Sequence, residues 1–210
     1  MSDPLASPEF RSPLFDLNLP GRAGAMNSRI GVAATEITGR AYITLRGSLT
    51  DEKFAEATAN ALTTPLPGDP CTVKTIADAS ILWLSPDEWM ITGPRASMKE
   101  LLSKLQLALS GLRGLATDNS SGYTEIFMSG GNADVVLSHC TVYRLHDLTP
   151  GRVVGTTFGK VQVYLRRDRS GYSILVRRSF ADYVWRFLER ASKPYGFGVR
   201  AENAERGFNP

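Results

Sequence analysis

The chain has 210 residues, 42% of them hydrophobic and 21% charged, a balance typical of a soluble globular protein whose core needs no disulfide staples. Its 24 basic and 21 acidic residues leave a net charge of +3, which excludes the strongly basic surface expected of a nucleic-acid or anionic-membrane binder. No apolar run approaches the roughly 20 residues that span a bilayer, no basic-then-apolar leader is visible, and two cysteines, Cys71 and Cys140, make no disulfide framework, so a reduced, cytoplasmic protein is expected.

Residues 1–26 carry Pro4, Pro8, Pro13 and Pro20, spaced so as to interrupt both helix and ladder bonding. They predict an extended arm. Its apolar Phe10, Leu14, Phe15, Leu17 and Leu19 suit docking on the chain's own body or on a partner, with a free tail as the alternative. Residues 30–37 and 41–45 predict two strands around a Thr38-Gly39 turn. Thr50, followed by Asp51 and Glu52, predicts the cap of a helix with Phe54, Ala57, Thr58, Ala61 and Leu62 on one face, stopped by Pro65 and Pro67. Strands are predicted over 72–76, 80–84 and 89–92. Between the last two, Ser85-Pro86-Asp87-Glu88 has the form of a capping box and predicts one tight helical turn. Ser97 and Glu100 form a second box, opening a helix with Met98, Leu101, Leu102, Leu105 and Leu109 on one face and ending at Gly111.

The second half repeats the scheme. Residues 122–129 alternate as a strand, and Ser129-Gly130-Gly131 turns into a helix with Ala133, Val136, Leu137 and Cys140 on one face. Residues 161–165 and 172–176 alternate as a hairpin around an arginine-rich loop. Ser179 is expected to cap a last helix whose Phe180, Tyr183, Val184, Phe187, Leu188 and Ala191 form a wide apolar stripe. After Pro194 the tail is expected to be loose. The predicted class is α+β, with two ferredoxin-like halves, each placing helices on one face of a mixed or antiparallel sheet. They cover residues 27–114 and 115–193, between the arm at 1–26 and a tail at 194–210.

Few residues offer chemistry. His139 and Cys140 are adjacent, but neighbours on a helix point about 100° apart, so they do not form an activated pair. With His146 and Cys71 they lack any zinc-type spacing. The Ser129-Gly130-Gly131 helix start offers N–H groups to an anion, against a tight turn that needs glycine for conformational reasons. Asp87 and Glu88 read as capping residues rather than as an acid–base pair. Arg166, Arg167, Arg169, Arg177 and Arg178 surround one hairpin, suiting either an acidic partner chain or a solvated edge. Trp83, Trp89 and Trp185 read as core anchors, each needing an N–H partner. No residue is assigned to catalysis, to cofactor binding or to a metal.

Several segments resemble the gamma subunits of heterotetrameric sarcosine oxidases. SILWLSPDEWMI at residues 80–91 is similar to their "WLGPDEWL", and TDNSSGYT at 117–124 to their "D.SDG..". SGGNA at 129–133 resembles "SGPDA", residues 140–148 resemble "C.LDLHP", and RRSFADYVW at 177–185 resembles "VPRSYADYLW". The order and spacing hold from about residue 30 to 192. Ser85 stands where the family has glycine, Asn119-Ser120 where it has Ser-Asp, and Gly131-Asn132 where it has Pro-Asp.

The resemblance implies a fold like that of the folate-binding aminomethyltransferase of the glycine cleavage system. It also implies a complex with alpha, beta and delta chains, alpha being the most direct neighbour. That complex would oxidatively demethylate sarcosine to glycine, pass the one-carbon unit to tetrahydrofolate and produce hydrogen peroxide. FAD, FMN and NAD would sit on the larger chains and zinc on the delta chain, with none on this one. The competing reading is a stand-alone folate-dependent aminomethyltransferase-like or folate-binding protein. It needs an acid placed to hydrogen-bond a pterin, and Asp118, Glu125 and Asp134 are the nearby candidates. A scaffold is expected to commit its polar side chains to helix ends, turns and surfaces. A buried acid or thiol converging with other polar groups on a ligand-sized hollow would count against the scaffold reading itself.

Overall fold

A computed structural model describes residues 11–24, 27 and 29–201. The elements run in chain order as α1 (Leu19–Arg22), β1 (Val32–Ile37), β2 (Arg40–Arg46), α2 (Glu52–Leu62), β3 (Val73–Ile76), β4 (Ala79–Ser85), β5 (Glu88–Pro94), α3 (Arg95–Ala108) and β6 (Leu115–Asp118). They continue as β7 (Tyr123–Ser129), α4 (Ala133–Cys140), β8 (Val153–Phe158), β9 (Val161–Asp168), β10 (Gly171–Arg177), α5 (Ala181–Ser192) and β11 (Phe197–Val199). No helix among the described residues is long and apolar enough to cross a membrane.

One sheet has the order β3-β4-β5-β2-β6 and the other β11-β1-β7-β10-β9-β8. In the first, β2-α2-β4-β5-α3-β6 makes the ferredoxin-like βαββαβ unit, with β3 added at the edge. In the second, β7-α4-β9-β10-α5-β11 follows the same path, with β8 added at one edge and β1 inserted between β7 and β11. All strand pairs are antiparallel except β1 with β11. This is the α+β fold with two sheets that the alternation predicts.

Strand periodicity sets the layers. Ala41, Ile43 and Leu45 of β2, with Ile81, Trp89 and Ile91, pack against Phe54, Met98 and Leu105 of α2 and α3. Ile126, Met128 and Ile174 pack against Val136, Val184 and Trp185 of α4 and α5. The opposite phase of the same strands places Tyr42, Leu82, Met90, Tyr123, Val153 and Leu175 in a third cluster between the sheets. The result is four layers, with helices outside and two sheets back to back.

Strand membership does not follow the sequence halves. β1 from the N-terminal side lies inside the second sheet, and β6, from beyond residue 114, closes the first beside β2. The Thr38-Gly39 turn therefore carries the chain from one sheet to the other. Strands β6, β8 and β11 are additions to the predicted set. The tail expected to be loose instead forms β11 beside β1. Gly196 makes that approach possible, with φ +75° and a would-be Cβ 1.8 Å from the Arg29 carbonyl oxygen. Residues 202–210 lie outside the described residues.

Helix ends depart from the predicted caps. Asp51, not Thr50, caps α2, accepting from the Lys53 and Phe54 amides. Ser85-Pro86-Asp87-Glu88 forms no helical turn: it joins two paired strands, β4 and β5, and the Ser85 hydroxyl donates to Asp87 at 2.7 Å. Ser97 lies inside α3 and donates to Asp78 and to the Pro94 carbonyl. Ser179 lies in a 3-10 turn, Arg178–Phe180, that leads into α5.

Of the arm, residues 1–10 and 25–26 lie outside the described residues, which includes Phe10. Of the other apolar arm residues, Leu14, Leu17 and Leu19 dock on the chain's own body, while Phe15 stays exposed. Leu14 is 1% exposed, and Leu19 joins it in the core under α4 and α5. Arg178 donates to the Arg11 carbonyl, and Ser12 donates to buried Glu36. Replacing Leu14 with alanine is expected to destabilise the chain by roughly 2–5 kcal/mol in urea unfolding, the cost of a buried leucine cavity. An arm that packed only on a partner would give no change.

Candidate functional site

Tyr42 of β2 faces the second sheet because its neighbours Ala41 and Ile43 face the helices, and Arg40 shares that inward phase. Glu125 of β7, Arg166 of β9 and Ser173 of β10 reach inward from the second sheet in the same way, opposite the phase of Ile126, Leu165 and Ile174. These side chains meet along one end of the inter-sheet layer, beside a cleft of about 650 Å³. Ile37, Val73, Ala77, Phe127 and Pro150 give the cleft its apolar lining.

The charges there are buried and paired. The side chains of Arg166 and Glu125 are 6% and 7% exposed, and the Arg166 Nη2 donates to Glu125 Oε1 at 3.3 Å. Arg166 Nε lies 2.9 Å from Asp168 Oδ1, and Nη2 also donates to the Ser173 hydroxyl, which in turn donates to Asp168. Burial disfavours the charged guanidinium, but Glu125 and Asp168 more than offset that and hold Arg166 protonated. Arg40 approaches the same glutamate, Nε 3.5 Å from Glu125 Oε2, while donating to the Thr92 hydroxyl at 3.1 Å. Burial, and next the Glu125 charge, push the Tyr42 phenol well above its ordinary range, so it stays neutral. The sequence-based expectation that polar side chains serve helix ends, turns and surfaces is corrected here. A buried acid does converge with other polar groups on a ligand-sized hollow, although both of its oxygens face arginines. The missed signal was a charge at an inward-phase position of an otherwise apolar strand.

The other sequence candidates are dispersed. Cys140 is 4% exposed in the core beneath α4, and burial pushes its thiol up to about 12. His139 points away from it and stacks on Tyr195, and His146 is exposed beside Asp147. The described residues contain no group of three or more His, Cys, Asp or Glu side chains able to hold a metal. At Ser129-Gly130-Gly131, Gly130 has φ +126° and a would-be Cβ 2.3 Å from the Gly31 carbonyl oxygen, so the glycine serves a close backbone crossing. Asp118 accepts from Ser120, and Asp134 accepts from Arg167 and Tyr172, so Glu125 alone of the three candidate acids lines the cleft.

The arginines do not share one edge. Arg166 is inside, Arg167 lies over Tyr172 on the helix side, Arg177 lies over Tyr123, and Arg169 is exposed at the cleft mouth. Trp89 donates to the Pro67 carbonyl at 2.9 Å, whereas the buried Trp185 indole N–H finds no partner among the described residues.

Two outcomes are expected. Arg166→Met should cost roughly 3–5 kcal/mol in urea unfolding, because it leaves Glu125 and Asp168 without their shared cation. Iodoacetamide at pH 8 should modify half-buried Cys71 but leave Cys140 unreacted until denaturant is added, as read by peptide mass spectrometry.

Residues 46–194 match the family described as sarcosine oxidase, gamma subunit family. The chain is 32% identical over 136 residues to a sarcosine oxidase subunit gamma from Arthrobacter sp, an alignment spanning 63% of this chain and 66% of that relative, just under two thirds of its length. In structure it superimposes on a chain of the heterotetrameric sarcosine oxidase from Corynebacterium sp. U-96, solved with pyrrole 2-carboxylate, with a TM-score of 0.80 and 24% identity over 94% of this chain and 99% of that one. It also superimposes on the glycine cleavage system aminomethyltransferase T from Bartonella henselae, with a TM-score of 0.64 and 13% identity over 90% of this chain and 58% of that one. The four-layer fold is thus shared with both, and the chain belongs to the sarcosine oxidase gamma subunit family.

Proposed function

We propose that the chain is the non-catalytic gamma subunit of a cytoplasmic heterotetrameric sarcosine oxidase, assembled with alpha, beta and delta chains and in most direct contact with alpha. In this reading the assembly oxidises sarcosine to glycine, hands the one-carbon unit to tetrahydrofolate and releases hydrogen peroxide. FAD, FMN, NAD, tetrahydrofolate and zinc are held by the partner chains.

The observation that carries the reading is the family match over residues 46–194, supported by a superposition covering 99% of a chain from a heterotetrameric sarcosine oxidase. The chemistry of the chain is consistent with it. The buried thiol is held protonated, and Glu125 is already met by two arginines, so neither is poised as a nucleophile or general base. The same pairing disfavours the stand-alone folate reading, since two arginines already balance the Glu125 charge that would hold a pterin.

The test is expression alone and with partners. The purified chain should show no flavin absorbance and release no hydrogen peroxide from sarcosine, and a tagged copy in its native cell should co-purify with large flavin-bearing chains. Sarcosine turnover by the isolated chain would overturn the proposal.

A further inference from the structure

We propose that the inter-sheet cleft is a binding site for a small organic carboxylate, with Arg40 as the residue that grips it. Arg40 opens β2, and its side chain is only 8% exposed. Its Nε is engaged by Thr92 and Glu125, but its buried Nη2 has no hydrogen-bond partner among the described residues, and the residue lines the cleft. A buried guanidinium N–H without an acceptor carries its full desolvation penalty, and a ligand oxygen placed there removes it.

The residues around Arg40 determine what kind of group fits. Glu125 faces Arg40 and Arg166, Asp168 is held by Arg166 and Ser173, and Asp78 accepts from Ser97. The acids of the cleft are therefore committed, and the donor left over belongs to an arginine. Guanidinium presents a planar fork that matches a carboxylate, which neutralises its charge as well as accepting its hydrogen bonds. The exposed Arg169 at the mouth adds positive potential on the approach.

Ile37, Val73, Ala77, Phe127 and Pro150 give the cleft an apolar part beside its charged one, so the carboxylate should ride on a body with an apolar surface. A volume of about 650 Å³ lies within the range of small-molecule sites and exceeds what a lone ion would fill. This inference goes beyond the subunit role and does not depend on it, because binding is read on the chain itself.

The experiment is calorimetric titration of the full chain with benzoate, and with benzamide as the neutral isostere. Benzoate is expected to bind at one site with a dissociation constant of about 1 mM or tighter, and benzamide at least about tenfold more weakly. Arg40→Met should weaken benzoate binding by about tenfold or more. Thr75→Trp, on the exposed edge strand β3 at the cleft wall, leaves every charge in place and should block binding by filling the space. If Arg40→Met fails to fold, Thr75→Trp decides. The proposal is overturned by no saturable benzoate binding up to about 10 mM. Equal affinity for benzamide, or binding unchanged in Thr75→Trp, overturns it as well.

Discussion

Each sheet is covered on both faces, by helices on one side and by the other sheet on the opposite side, and that constraint governs the molecule. A strand in an ordinary two-layer domain can turn its second face to water. Here Ala41, Ile43 and Leu45 face α2 and α3, while Tyr42 between them faces the second sheet. A charge on an inward phase that the opposite sheet covers, as at Arg166 and Glu125, is therefore taken out of water and must be met by a partner. Arg166 with Glu125, Asp168 and Ser173 is the outcome: a closed set of donors and acceptors at the end of the layer where the apolar contacts give out. The cleft beside it is lined by residues of both sheets, charged and apolar together.

Much of the fold was legible from periodicity. The alternation through residues 122–129, 161–165 and 172–176, and the apolar stripes after Asp51 and Met98, correspond to real strands and helices with the expected faces buried. What escaped was decided by neighbours far away in sequence. β11 is three residues with a glycine at its centre, and only the parallel approach to β1 makes it a strand. The box-like Ser85-Pro86-Asp87-Glu88 had the right residues for a helix start, but β4 and β5 pair across it, and ladder bonds outweigh one local cap. The strand exchange is equally invisible, since nothing local tells β1 that its partners begin near residue 123.

The site was legible only in part. Glu125 stood among the candidate acids, but Arg40 was not singled out and Arg166 read as one of an arginine cluster around a hairpin. Their burial follows from which side of each strand faces the opposite sheet, and that requires knowing that a second sheet is there. By contrast, the restraint shown over Cys140 and His139 rested on geometry internal to one helix, and the structure agrees: one is in the core and the other stacks on Tyr195 outside it.

The placement of β1 has a consequence for biosynthesis. A chain made from its N-terminus releases residues 32–37 early, yet the flanking strands β7 and β11 follow only after some hundred and then some hundred and sixty residues, so the contacts that complete this sheet are of high sequence separation and slow to form. The first sheet, whose strands lie within residues 40–118, can be assembled while the remainder is still being translated. Until the last strand emerges, β1 presents an unpaired apolar edge to the cell, a natural point of engagement for a chaperone.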